Sequence, residues 1–284
     1  MQLRPTPDTD ETRLLLLAPR DAEVPPVFQN VQADAARHQE LLADMQRVRG
    51  NVYLEDGAIE RGELSDDGRH NIDIDRDSWH LLATDESGEV CGCVRYRPHL
   101  NTAGFRDLWI RHSALATSPI WGGQFRAAVE SDFQNARRLN ISYVEVGGWA
   151  LALERRCTAE ALRIALSTYC LAQILGGCIG VTTATLRHCS SSILRRIGAA
   201  SLESPAGALP AYYDPKFQCD MEVLRFDSAS PAPKYLRFVE KLRLEILGVP
   251  VICRKARRVL WRTASGKQSA AQAGTADVGT WQPA

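Results

Sequence analysis

The sequence predicts an α+β fold in which helices flank a central sheet, and three observations carry that prediction. Two apolar strand patterns, residues 78–84 and 89–96, are separated by Asp85-Glu86-Ser87-Gly88, a natural hairpin turn. Residues 158–175 form a helix pattern that is apolar nearly all round, with only Glu160 and Arg163 charged, as expected of a helix buried against a sheet. Strand and helix patterns then succeed one another in the order strand, helix, loop, hairpin, strand, helix, strand, helix, strand pair.

Taken in chain order, residues 13–18 read as a short strand and residues 32–49 as a helix, with Leu41, Leu42, Met45 and Val48 on one stripe. Residues 55–77 are rich in Asp, Glu and Gly and read as a loop. After the hairpin, residues 99–140 mix loop and helix, and residues 141–151 form a long strand containing Gly147-Gly148. Thr158 is a plausible N-cap for the buried helix. A buried strand at 178–183, a helix at 188–197 closed by Gly198, and a strand pair at 200–202 and 219–226 follow. Residues 234–247 are amphipathic, with Tyr235, Phe238, Val239, Leu242 and Ile246 on one face, and Gly248 and Pro250 end the pattern. Residues 254–262 form a basic segment, and the Ser/Ala/Gly/Gln composition from about residue 264 reads as a disordered tail. No internal repeat is present.

Composition narrows the function classes. The 284 residues are 45% hydrophobic, enough for a substantial core. Lys+Arg and Asp+Glu both number 34, and this balance argues against nonspecific nucleic-acid binding. Residues 14–17 fall far short of the ~20 apolar residues that span a bilayer, and they follow acidic residues rather than the basic start of a secretion signal. Eight cysteines in a chain this long do not read as a disulfide scaffold, so a reducing cytoplasm is the expected setting. Cys91 and Cys93 share one strand face, but no second Cys or His pair accompanies them, so no metal site is expected. His188-Cys189 beside Ser190, Ser191 and Ser192 reads as a capped helix start rather than a nucleophile.

Two segments carry the chemistry. Gly92-Cys93-Val94-Arg95-Tyr96-Arg97-Pro98 delivers an arginine at a strand end, and Glu145-Val146-Gly147-Gly148-Trp149-Ala150-Leu151 places a carboxylate in an apolar strand beside two glycines. Both are similar to segments of the acyl-homoserine lactone synthases and the related N-acyl amino acid synthases, within the GNAT acyltransferase superfamily. Arg47 or Arg49 followed by Val52-Tyr53 resembles their early arginine and aromatic pair. Leu194-Arg195-Arg196-Ile197-Gly198-Ala199 resembles the last GNAT helix and its glycine turn, and Leu209-Pro210-Ala211-Tyr212-Tyr213-Asp214 resembles a segment of the N-acyl amino acid synthases. The resemblance spans roughly residues 12–226 and rests on the order and spacing of these motifs. It implies an α/β/α sandwich with a GNAT-like, mixed and mostly antiparallel sheet. It divides the chain into a GNAT-like acyltransferase domain at 12–226, a C-terminal helix and basic segment at 227–263, and a tail at 264–284.

The implied activity is transfer of an acyl group, long-chain by expectation, from an acyl carrier protein or acyl-CoA thioester to the amine of an amino acid or similar small molecule. Three departures qualify it. Gly148 stands where the lactone synthases usually carry an arginine, which weakens the lactone-synthase reading. Residues 153–158 replace a glycine-rich pyrophosphate loop with Leu-Glu-Arg-Arg-Cys-Thr, which suits a carrier-protein thioester. Leu194 stands where many acetyltransferases have a tyrosine acid. A lactone synthase and a catalytically degenerate binding module therefore remain as alternatives.

The expected site follows. Glu145 acts as base or amine-positioning group, its pKa raised by partial burial; otherwise it is a salt-bridged edge residue. Gly147 and Gly148 mark a bulge that opens the sheet and turns backbone N–H groups toward the thioester oxygen, or are simply packing glycines. Arg95 binds a substrate carboxylate, orients Glu145 or meets a carrier phosphate, or else pairs at the surface with Asp73, Asp75 or Asp77. Arg49 has a similar role or is the solvated end of its helix. Tyr53, Trp149 and Tyr212 are expected to touch substrate, and Arg155, Arg156 and Thr158 to meet the acyl donor or its acidic carrier protein. The 254–262 segment suits a solvated charge run or peripheral contact with anionic lipid.

Overall fold

A computed structural model describes residues 12–156, 158–187 and 189–255. Its elements, in chain order, are β1 Arg13–Leu17, β2 Asn30–Ala33, α1 Ala35–Glu55, β3 Trp79–Thr84, β4 Val90–His99, α2 Ala114–Thr117, α3 Gly122–Leu139, β5 Ser142–Leu151, α4 Ala159–Ile174, β6 Cys178–Thr185, α5 Ser190–Ile197, β7 Ala200–Ser201, β8 Glu203–Ser204, β9 Gly207–Ala208, β10 Tyr212–Asp214, β11 Cys219–Asp227, α6 Leu236–Gly248 and β12 Pro250–Cys253. One sheet runs in the order β10-β11-β6-β5-β4-β3-β1-β12-β2, with β7 also on β11; β8 and β9 form a separate hairpin. Pairing is antiparallel except for β5/β6, β1/β12 and β12/β2. This is the mixed, mostly antiparallel sheet expected, with helices on both faces.

The two faces follow from strand alternation. Leu14, Leu16, Leu81, Ala83, Val94 and Val144 pack under α4 and α6. Leu15, Leu17, Leu82, Cys93 and Ala150 point the other way, beneath α1, and Tyr143, Ile179, Val181 and Val223 pack beneath α3. Gly180 is required by packing: a Cβ there would stand 2.1 Å from the Phe226 ring.

Several elements differ from the sequence-based expectation. Helix α1 starts later and runs further, capped by Asp34, whose side chain accepts from the Arg37 N–H at 2.9 Å, and reaching Glu55. Arg49 therefore lies inside the helix and is fully buried rather than solvated at its end. The loop at 55–77 contains two short 3-10 turns, Arg61–Glu63 and Asp73–Asp77.

The largest correction concerns the C-terminal block. Residues 227–253 are not a separate unit: Val239, Leu242 and Ile246 of α6 and Val251 and Cys253 of β12 belong to the same core cluster as α4. Strand β12 is inserted between β1 and β2, so the domain closes only at Cys253. Four residues are too few to show strand periodicity, and their partners lie more than two hundred residues away. In the basic segment only Arg254 and Lys255 are described; residues 256–262, the 264–284 tail, residues 1–11, Cys157 and His188 lie outside the described residues. Among the described residues, no helix is long and apolar enough to cross a membrane, and no group of three or more His, Cys, Asp or Glu could hold a metal ion.

Candidate active site

The site is built around a fork in the sheet. Strands β5 and β6 run parallel through four rungs, from Ser142↔Cys178 to Glu145↔Val181, and then separate. On its other side β5 stays paired with β4, but the register shifts between Cys93 and Arg95: Cys93 faces Ala150 while Arg95 faces Gly147. Val94 is thus opposed by both Gly148 and Trp149, a bulge with the extra residue on β5. Gly148 adopts φ +62°, the left-handed region that glycine enters at least cost. A Cβ on Gly147 would stand 3.1 Å from Arg95 Nη2, so the backbone approaches that guanidinium closely. The Cys93 thiol donates to the Gly148 carbonyl at 3.3 Å.

Past the fork lies a cavity of about 600 Å³. Its walls come from the open edge of β5 (Val146 to Leu151), the facing end of β6 (Thr182 to Thr185), Ala161 and Ala165 of α4, and Ile193 and Leu194 of α5, with Val52 and Tyr53 of α1 reaching it from the opposite face. Size and lining match a small-molecule site: largely apolar, with few polar groups.

Behind the bulge sits a buried ion cluster. The Asp75 carboxylate accepts from Arg49 Nη1 at 2.9 Å and Nη2 at 2.6 Å and from Gln46 Nε2 at 3.0 Å, while Arg95 Nη1 lies at 3.6 Å. Side-chain exposure is 1% for Arg49, 8% for Arg95 and 0% for Asp75. Burial pushes the Asp75 carboxyl up, but the hydrogen bonds and charge of Arg49, with Arg95 behind it, outweigh this and hold it well below the usual carboxylate range. Arg95 does pair with Asp75, one of the three candidates, but the pair is interior rather than at the surface.

Glu145 departs most from expectation. It is buried, on the face of β5 toward the 3-10 turn Trp109–His112. Its Oε1 accepts from the Ile110 N–H at 2.8 Å, its Oε2 from the Trp109 N–H at 3.0 Å, and His99 Nε2 lies 3.0 Å from Oε2. Arg97 stands at 3.6 Å. Burial alone raises its pKa, but the hydrogen bond and charge of His99 and the two backbone donors outweigh it, so the net shift is downward, not upward as expected. Glu145 is also not among the residues lining the cavity. The sequence shows that a carboxylate is buried; it does not show that the turn at Trp109 supplies its donors.

Of the remaining expected residues, Tyr53, Trp149 and Arg156 line the cavity together with Gly147 and Gly148. Thr158 is committed as a helix cap: its hydroxyl oxygen accepts from the Glu160 N–H at 3.2 Å and donates to the Arg155 carbonyl at 2.7 Å. Arg155 lies in the turn Leu153–Arg155, outside the lining. Tyr212 is on edge strand β10, separated from the fork by β11 and β6, and packs against the α3-side cluster. It is not brought to the cavity. Asp56, Arg187 and Arg196, not anticipated from sequence, do line it. Asp56 ends α1 and the arginines sit on or before α5, so no local spacing relates them.

No protein-family model and no curated protein matches this sequence. Solved structures do. The chain is similar to the CoA-dependent acyl-homoserine lactone synthase BjaI, both with SAM and isopentyl-CoA and with MTA, at a TM-score of 0.52 and 14% identity over 88% of this chain and 96% of that one. The chain has the GNAT-like fold of the acyl-homoserine lactone synthases. It is also similar to FeeM, an N-acyl amino acid synthase from uncultured soil microbes, with a TM-score of 0.42 and 10% identity over 78% of this chain and 90% of that one.

Proposed function

We propose that this chain is an N-acyltransferase that moves an acyl group from a CoA or acyl carrier protein thioester to the amine of an amino acid or similar small molecule. The single observation that carries the reading is the fork: the β5/β6 pairing ends at Glu145↔Val181, and an apolar cavity of about 600 Å³ opens beside the glycine bulge. An apolar wall of Val146, Leu151, Ala161, Ala165, Ile193 and Leu194 suits an acyl chain longer than acetyl. The thioester arm enters along the unpaired edge of β5, where backbone N–H groups freed from strand pairing are available to the carbonyl oxygen. The amine nitrogen attacks the carbonyl carbon, the oxygen takes up negative charge, and collapse expels the thiolate and leaves an amide; the amine proton leaves with the thiolate or to water. Glu145 then supports the fork from behind as an ionised anchor for the Trp109–His112 turn. Gly148 favours the amide over the lactone reading. In place of an arginine side chain, that position carries none, and a Cβ there would stand 3.5 Å from Arg49 Nη1.

The test is mass spectrometry of organic extracts from an expressing host, followed by transfer assays with purified protein and acyl-CoA or acyl carrier protein. An acylated amine that disappears when Gly148 is replaced by a bulky residue supports the reading. Thioester binding without any acylated product points instead to a binding module, and lactone formation from S-adenosylmethionine to a signal synthase.

A further inference from the structure

Helix α6 is packed on one side only. Val239, Leu242 and Ile246, at i, i+3 and i+7, are buried in the core cluster shared with α4. Its other side leaves large apolar groups in water: Leu236 is 51% exposed, Phe238 42% and Leu244 62%. Single apolar residues scattered over a surface are ordinary, but three on one helix of 13 residues make a patch, and such patches mark interaction sites.

Charge is interleaved with that patch. Lys234, in the turn Pro233–Tyr235 that leads into α6, and Arg237, Lys241 and Arg243 on the helix have no ion-pair partner among the described residues; Lys234 stands over the Tyr235 ring at 5.1 Å. Of the two acids on α6, Glu245 is bound to Arg163 of α4, which leaves Glu240 as the only one not in an ion pair among the described residues. Lys+Arg and Asp+Glu are equal in number over the whole chain, so this surplus of cations is local. Arg237, Lys241 and Leu244 follow one another at i, i+4 and i+7, and Phe238 stands three residues before Lys241, so cations and apolar groups share one outer stripe. Beside the stripe lies a second cavity, of about 310 Å³, lined by Gln173, Pro231, Leu236, Arg237, Glu240 and Arg243. Two guanidinium groups on its walls suit a phosphate, which accepts from planar N–H forks.

We propose that the outer face of α6 docks this protein on an anionic lipid bilayer, with a lipid phosphate seated between Arg237 and Arg243 and with Phe238 and Leu244 entering the acyl boundary. Cations interleaved with Phe and Leu are the pattern of helices that lie in a membrane interface: the apolar groups sink past the headgroups while Lys and Arg stay with the phosphates. The negative surface of the bilayer supplies the complement to the four cations. Glu240 opposes the same surface, so removing its charge should strengthen docking. The proposal does not depend on the acyl-transfer reading, and neither fails with the other.

The test is co-sedimentation of the full chain with vesicles of phosphatidylcholine alone and of phosphatidylcholine containing about one-quarter phosphatidylglycerol. Wild type should bind the anionic vesicles, ignore the neutral ones, and lose binding as salt is raised. A cation beside an anionic bilayer is worth about fivefold in binding, so Arg237→Gln with Lys241→Gln should weaken it about twenty- to thirtyfold, and Glu240→Gln should strengthen it about fivefold. Phe238→Ser with Leu244→Ser should weaken it about tenfold, the worth of roughly 50 Å² of apolar surface returned to water. Arg126→Gln with Arg138→Gln, on α3 across the sheet, removes the same charge from the other face and should change binding less than twofold. Arg237→Lys with Lys241→Arg keeps the charge and should bind as wild type, which separates loss of charge from damage to the helix. Residues 254–262 are the same in every variant, so their own lipid contact cancels in these ratios. Equal binding to neutral vesicles, no binding to either, an α6 double variant within twofold of wild type, or an α3 pair that loses as much as the α6 pair overturns the proposal. Wild type that ignores vesicles yet binds polyglutamate would assign the face to an acidic protein and overturn it as well.

Discussion

Replacing Asp75 with Asn should destabilise this protein more than any conservative surface change. The substitution keeps the side chain's size and removes its charge. What remains is Arg49, with 1% side-chain exposure, and Arg95, with 8%, both cationic and without their counterion. The Asn carbonyl can accept from Arg49 Nη1, but its amide then opposes Arg49 Nη2, which now lies 2.6 Å from Asp75 Oδ2. Breaking one side of a buried ion pair costs about 3–5 kcal/mol, because an uncompensated charge stays buried. Set against a usual total of about 5–15 kcal/mol, that is a large fraction. The assay is urea denaturation followed by circular dichroism, with Glu63→Gln as control. The Glu63–Lys216 bridge at 2.9 Å is open to solvent, with exposures of 38% and 54%, so its loss should cost no more than about 1 kcal/mol. Acyl transfer should fall with Asp75→Asn as well, since both guanidinium groups abut the glycine bulge. A loss below about 1 kcal/mol, or one equal to the control, would refute the claim that Asp75 is the counterion of the bulge.

Four other outcomes are expected. Gly148→Ala should cost about 1–2 kcal/mol through its φ of +62° rather than through crowding, since the nearest atoms to its Cβ stand at 3.5 Å; a melting curve unchanged from wild type would show that the backbone relaxes freely. Stability should fall with pH in two windows. Burial holds His70 and His80 at about 4, below their ordinary 6.5, so the unfolded chain gains protons first and stability is lost as the pH drops from about 6.5 toward 4; Asp75, held low by Arg49 despite burial, adds a loss below about 4, and a flat denaturation midpoint between pH 7 and 5 would contradict the first window. The pH–rate profile of transfer should show no ionisation of Glu145 between about pH 5 and 8, because its pKa lies below the ordinary 4.5; a rate limb in that range abolished by Glu145→Gln would restore it as the base. Ala165→Phe should fill the cavity from the α4 side and shift donor preference to shorter acyl chains, read from relative rates across an acyl-CoA series, while an unchanged series would place the chain elsewhere.

Much of this protein is written in its local sequence. The hairpin between β3 and β4, the all-round apolar α4, the strand that becomes β5 and its glycine pair are legible because each depends on residues close to one another: a turn tetrad, a helical stripe, an alternation, a missing Cβ. Burial of Glu145 was legible from its apolar neighbours. What the sequence does not specify is which distant groups meet. The Asp75 counterion lies outside the helix and strand whose arginines it joins, the N–H donors to Glu145 come from a turn some thirty-five residues upstream, and Asp56 reaches Arg156 across a hundred residues. The same limit hides β12, four residues whose place between β1 and β2 depends on both ends of the domain. Charges and short strands carry no period of their own. Their partners are chosen by the packed sheet, which fixes distances that chain spacing leaves open.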